Sequence, residues 1–251
     1  MTRTIITGVA AIAMSAACVM AQAPKVSKGE AEAYNAMIRA AQSGDNDATI
    51  KAADDLITKY SDTQFKPTAL MLESQAYVAK GDLDRAQVYA EQCMAADPKG
   101  FQAPLLIGES IVKQTRENDL DKDEKLAKAE KDLNLSIENV KAAPKPNPQL
   151  TDAQWDDSKK LTIAEAQADL GRVAMLRKKY PDAVVQLQAA ADADPQPAYL
   201  VWLAMSQQQS GKNDEAIATC DKLLAQPNLP QVFQNAANSI KKDAARAKGA
   251  K

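Results

Sequence analysis

The most specific chemical pattern in the sequence is a set of carboxylates. Asp119, Asp121 and Asp123 alternate, and Glu130 stands at the spacing of the last, bidentate ligand of a calcium-binding loop. Such a loop needs Gly at its sharp turn, where this chain has Glu124. The pattern therefore reads as the charged start of a helix, and no metal is expected. Nucleophilic chemistry has no firmer footing. The sequence contains no histidine, which removes the commonest general base and the commonest transition-metal ligand, and it leaves every serine without that partner. Cys93 and Cys220 fall on apolar helical stripes, which predicts buried, free thiols. The chain is accordingly expected to be no enzyme and to use no cofactor.

The elements that would position any site are helical. Ala, Lys, Asp, Gln and Leu dominate, with three Phe and two Trp, a composition that favours helices over sheets. A net charge of -2 provides no concentrated positive surface, which argues against nucleic acid or an anionic membrane as partner. The first residues read as a Sec-type signal peptide: Arg3 supplies positive charge, Ile5 to Ala17 is apolar, and small residues follow. Cleavage fits after Ala21 or after Ala23. Ser15 stands where a lipid-attachment box usually has Leu, which argues against a lipoprotein anchored at Cys18. The apolar run from Ile5 to Ala17 is too short for a comfortable membrane span and no second such run appears later, so a mature chain without a transmembrane segment, periplasmic or secreted, is expected.

A fixed internal ruler organises the rest. Gly81 is followed five residues on by Ala86 and seventeen on by Pro98. The same ruler laid on Gly44 meets Thr49 and Ser61, on Lys178 it meets Ala183 and Pro195, and on Gly211 it meets Ala216, with Pro227 one residue early. Each mark has a physical meaning. Gly closes a helix by taking a left-handed conformation, Ala lets two helices cross closely, and Pro ends the second helix. Apolar residues between the marks recur at helical spacing, as in Ala86, Ala90 and Cys93, or Ala183, Leu187 and Ala190. Partner helices precede them over Leu70 to Tyr77, Leu105 to Val112, Ala166 to Met175 and Leu200 to Met205. The repeating unit is a helical hairpin.

With Ile107-Gly108 and Leu170-Gly171 as Leu-Gly-type pairs and Tyr77 as an aromatic position, the sequence resembles the tetratricopeptide repeat family, as an exported bacterial member. The resemblance implies an all-α fold, an α-solenoid of about five helical hairpins in a right-handed superhelix, closed by a C-terminal capping helix. The expected layout is a signal peptide over 1–21, three repeats over 27–142 with an extended middle repeat, a Pro-rich linker over 143–150, two repeats over 151–228, and a capping helix and tail over 229–251. Ser27 with Glu30, and Thr151 with Gln154, predict capping boxes at two helix starts. The region from Arg116 to Asp132 predicts a long second helix after a lengthened loop, supported by Asp121–Lys125 and Glu124–Lys128 pairs.

In such a solenoid the first helix of each hairpin lines the concave face. The residues expected there are Tyr34, Met71, Gln75, Leu105, Glu109, Arg172, Trp202 and Met205, which suit an extended or helical peptide. The resulting expectation is a non-catalytic protein- or peptide-binding scaffold of the bacterial cell envelope. The alternative is a structural or self-associating repeat protein, a homo-oligomer whose groove is filled by its own tail or by a second copy.

Overall fold

A computed structural model of the chain describes residues 26–249. The leader, both cleavage points and Cys18 lie outside the described residues. Eleven helices are present among those described, with no strand. They run α1 (Lys28–Ser43), α2 (Asn46–Lys59), α3 (Lys66–Ala79), α4 (Leu83–Ala96), α5 (Gln102–Gln114), α6 (Lys122–Ala142), α7 (Asp152–Leu176), α8 (Tyr180–Ala193), α9 (Pro197–Gln209), α10 (Asn213–Leu224) and α11 (Gln231–Gly249). Consecutive helices pair as five hairpins, and α11 packs on α9 and α10. This is the all-helical hairpin array that the ruler implies.

The ruler's first mark is a backbone closure. Gly44, Gly81 and Gly211 have φ of 74°, 77° and 78°, and Lys178, at the equivalent place, has φ 59°. Around Gly81 the amide of Asp82 donates to the Tyr77 carbonyl at 2.9 Å and that of Gly81 to Val78 at 2.9 Å. The same two bonds recur at Lys178–Lys179 and at Gly211–Lys212. The paired bonds satisfy carbonyls that the helix end would otherwise leave bare. The next helix can then begin at once, with Asp45 and Asp82 accepting from the amides of Ala48 and Arg85.

The second mark sets helix spacing. Ala86, Ala183 and Ala216 are fully buried and Thr49 nearly so. In two hairpins the first helix carries a Leu-Gly-type pair, Ile107-Gly108 in α5 and Leu170-Gly171 in α7. A Cβ on Gly108 would lie 2.5 Å from Leu133 Cγ, and one on Gly171 would lie 2.5 Å from Leu187 Cγ. Hairpins α5/α6 and α7/α8 thus require a bare backbone against a leucine. Helices then end where the third mark predicts: α4 stops two residues before Pro98 and α8 two before Pro195.

The chain divides into two compact units. The first comprises the chain to Ile107 together with Ala142–Trp155, and the second comprises Gly108–Lys141 with Asp156–Lys251. In the first unit Met37, Ala53, Leu56, Ala69 and Leu72 form a core, and Tyr34 and Phe65 stack beside it with ring centroids 4.0 Å apart. The Pro-rich stretch is held there by Trp155, which donates from Nε1 to the Ala143 carbonyl at 3.4 Å, and by a Lys145–Asp152 ion pair at 2.6 Å. In the second unit Leu187, Leu200, Leu203, Cys220 and Leu223 form the core, and Phe233, Ala237 and Ile240 of α11 cover it.

The capping expectations are met unequally. Thr151 and Gln154 form the full reciprocal box, each side chain accepting from the other residue's amide, at 3.2 and 2.9 Å. At Ser27 half of it forms: its Oγ accepts from the Glu30 amide, while the Glu30 carboxylate takes a bond from Thr63 Oγ1 at 2.7 Å. The lengthened loop and long helix appear as expected, with α6 beginning at Lys122. Asp121 pairs with Lys125 at 2.9 Å, and Lys128 pairs with Asp132 at 3.0 Å.

One buried group runs against the packing logic. Glu73 of α3 is fully buried, and neither carboxyl oxygen has a hydrogen-bond partner. Burial, reinforced by the nearby Asp54 carboxyl, pushes its pKa from an ordinary 4.5 to about 8.

Three measurements check this account. Gly171→Ala is expected to lower stability by about 1–3 kcal/mol in denaturant titration, because the methyl group must displace Leu187. Lys178→Gly is expected to raise it by about 1 kcal/mol, relieving the left-handed backbone at the loss of an exposed ion pair to Glu117. The folded state holds a proton on Glu73 that the unfolded chain gives up, so this group's contribution to stability is greatest below pH 4.5 and falls as pH rises toward 8. Melting Glu73→Gln from pH 5 to 9 should show a gain over the wild type that grows with pH. A constant difference would rule out the buried-proton reading.

Candidate functional site

Helical spacing places Glu165, Asp169 and Arg172 on one face of α7, while Ala164, Ala166 and Ala168, each at most 1% exposed, pack inward. Tyr199, Trp202 and Met205 share a face of α9 in the same way, and Glu109 and Lys113 share one on the part of α5 that belongs to the second unit. All of these positions belong to first helices of hairpins and to the second unit.

The side chains interlock. Arg172 Nη1 donates to Asp169 Oδ1 at 2.8 Å, and the same guanidinium sits 4.8 Å from the Trp202 ring centroid. Tyr199 stacks beside Trp202 with centroids 6.0 Å apart. Lys113 Nζ donates to Glu109 Oε1 at 2.6 Å. A cation held between a carboxylate and an indole face is favoured by both partners.

Protonation follows from crowding of like charge in a poorly solvated place. Asp169 is 5% exposed, and burial pushes its carboxyl up to about 6 even though Arg172 pulls the other way. Glu165 rises to about 7, first through burial and then through the negative charges of Glu109 and Asp169. The Tyr199 hydroxyl is raised by burial and by Glu165 and Asp169. The face can hold a partner by ion pairing, hydrogen bonding and aromatic contact.

Of the residues singled out in the sequence, Glu109, Arg172, Trp202 and Met205 lie in this unit. Arg172 and Trp202 touch, Glu109 acts electrostatically on the same carboxyls, and Met205 is 39% exposed. The other four belong to the first unit. Tyr34 is half-buried against Phe65, Met71 is buried at 5% exposure, Gln75 has a buried Oε1 without a partner, and Leu105 is half-buried. Glu165, Asp169, Tyr199 and Lys113 were not singled out. Their signal was the helix period itself, since Asp169 and Glu165 lie three and seven residues before Arg172, and Tyr199 lies three before Trp202.

The remaining chemical candidates have other employment. Asp119 accepts from the Arg116 amide at 3.0 Å and from Lys125, and Glu130 pairs with Arg177 at 2.5 Å. Cys93 and Cys220 are free and buried, with burial pushing their thiols to about 12 and about 11. At those values little thiolate forms near neutrality.

Comparison with known proteins agrees with this architecture. The sequence matches the tetratricopeptide repeat-like domain over residues 2–101 and a tetratricopeptide repeat over residues 198–228, together a little over half of its length. The chain belongs to the tetratricopeptide repeat family. Similar solved structures include TTC0263, a thermophilic TPR protein of Thermus thermophilus, at 18% identity, with 84% of this chain and 98% of that one covered and a TM-score of 0.55. MamA from Desulfovibrio magneticus RS-1 is similar at 16% identity, with 79% and 95% covered and a TM-score of 0.60. At such identities the likeness is one of fold. No curated protein matches the sequence.

The Asp169–Arg172 pair can be weighed by a double-mutant cycle. Arg172→Ala is expected to cost about 1–3 kcal/mol, because it leaves a buried carboxyl without its cation, and adding Asp169→Asn is expected to restore most of that loss.

Proposed function

We propose that this chain is a non-catalytic scaffold of the bacterial cell envelope that holds a protein or peptide segment against the first-helix face of its second unit. The observation that carries the reading is the cluster of Arg172, Trp202, Tyr199 and Glu165. These side chains are half-buried and surround the acidic group of Asp169. Together they present charge and aromatic surface to whatever lies against the two helices. Membership of a repeat family built to display such faces supports the same reading. Absence of histidine from the sequence and the protonated state of both thiols favour holding over catalysis. The envelope assignment rests on the charged and apolar leader with its small-residue cleavage points.

A photo-cross-linker placed at Met205, which is 39% exposed on α9, tests the face in cells. It should capture a discrete partner, and the same probe at Val185, 66% exposed on α8, should not. Trp202→Ala is expected to abolish the product at 205. Equal capture at both positions, or a product consisting solely of a second copy of this chain, would replace the scaffold reading with non-specific contact or self-association. Removing residues 1–21 should leave the protein in the cytoplasmic fraction, and an unchanged distribution would remove the envelope from the proposal.

A further inference from the structure

We propose that the segment held on this face presents a lysine or arginine side chain to Glu165 and Tyr199. The inference rests on the scaffold reading and adds the chemistry of the partner. The first argument is charge. Glu109, Glu165, Asp169 and Asp194 all act on this part of the second unit, against Lys113 and Arg172. Lys113 is committed to Glu109 at 2.6 Å and Arg172 to Asp169 at 2.8 Å. Glu165 has no hydrogen-bond or ion-pair partner among the described residues. An acidic or phosphorylated occupant would bring further negative charge onto carboxyls that already repel one another, whereas a cation would complete the pairing.

The second argument is that the face already houses one cation of its own. Arg172 lies between a carboxylate and an indole ring, with the Asp169 oxygen at 2.8 Å and the Trp202 centroid at 4.8 Å. Beside it, Glu165 and Tyr199 offer another carboxyl and another ring, the ring stacked on the same Trp202. The exposed part of Met205 and the partly buried Trp202 supply apolar surface for the methylene stem that precedes an ammonium or guanidinium group. A cation docked there would also draw the proton from Glu165, whose carboxyl otherwise titrates at about 7. Binding should therefore release protons at neutral pH and weaken as pH falls below that value.

The test uses a random peptide library displayed on phage and panned against the chain without residues 1–21. Recovered sequences are expected to carry Lys or Arg beside apolar residues. The best of them, made synthetically, should bind Glu165→Gln about tenfold more weakly than the wild type, and should bind the wild type more weakly at pH 5.5 and in high salt. Glu165→Gln removes a carboxyl that the fold does not pair, so its melting temperature should equal or exceed that of the wild type, which separates lost binding from lost structure. Recovery of acidic or uncharged peptides, or basic peptides bound equally by Glu165→Gln, would overturn the inference. If such peptides are nonetheless lost with Trp202→Ala, the scaffold reading stands without it. A library that yields no binder to the folded chain would sink both.

Discussion

How near two helices can come governs this molecule. At Gly108 and Gly171 the first helix of a hairpin presents bare backbone, and a leucine of the second helix occupies the place a Cβ would take. Buried alanines at 86, 183 and 216 keep the facing surfaces similarly low. Small residues at crossings let the remaining large ones, such as Leu133 and Leu187, fill the space between axes to interior density. The left-handed closures at Gly81, Lys178 and Gly211 serve the same end, since a helix that ends and restarts across three residues leaves little slack for the pair to drift apart.

Close pairing decides what remains available for recognition. A first helix such as α7 buries Ala164, Ala166 and Ala168 on two flanks, and the stripe between those flanks carries residues the core does not require. Glu165, Asp169 and Arg172 occupy that face, where solvent is scarce enough to raise carboxyl pKa values while access persists. Glu73 shows the contrasting case. It is a carboxyl placed fully inside, where the fold tolerates it by keeping it protonated.

Much of the architecture was legible because backbone constraints leave residue signatures. A Gly at most closures, an Ala at most crossings and a Pro beyond a helix end can be read without coordinates, and the same spacing found Lys178, a lysine in a glycine's conformation. Composition alone would have missed it, because the evidence was the period and not the residue. Capping was legible in part. Thr151 and Gln154 satisfy each other, but Glu30 is drawn away by Thr63, thirty-three residues distant in sequence. The candidate face was less legible for a related reason. Arg172 and Trp202 announce themselves as a large cation and a large ring, whereas Glu165 and Asp169 resemble the many carboxylates of exposed helical faces. Only their burial and mutual repulsion, both properties of three dimensions, distinguish them. Glu73 was hidden within a stretch, Leu70 to Tyr77, whose apolar neighbours gave no hint that a carboxyl shared their interior.

Cys93 and Cys220, the two cysteines among the described residues, lend themselves to a different use. Cys93 belongs to the first unit and Cys220 to the second, each buried, unpaired and kept in the unreactive thiol form. Neither can meet a reagent until its own surroundings open. Among the described residues each unit thus carries one silent clock, and the rates at which these two thiols become modifiable would time the breathing of each unit separately, with no label introduced.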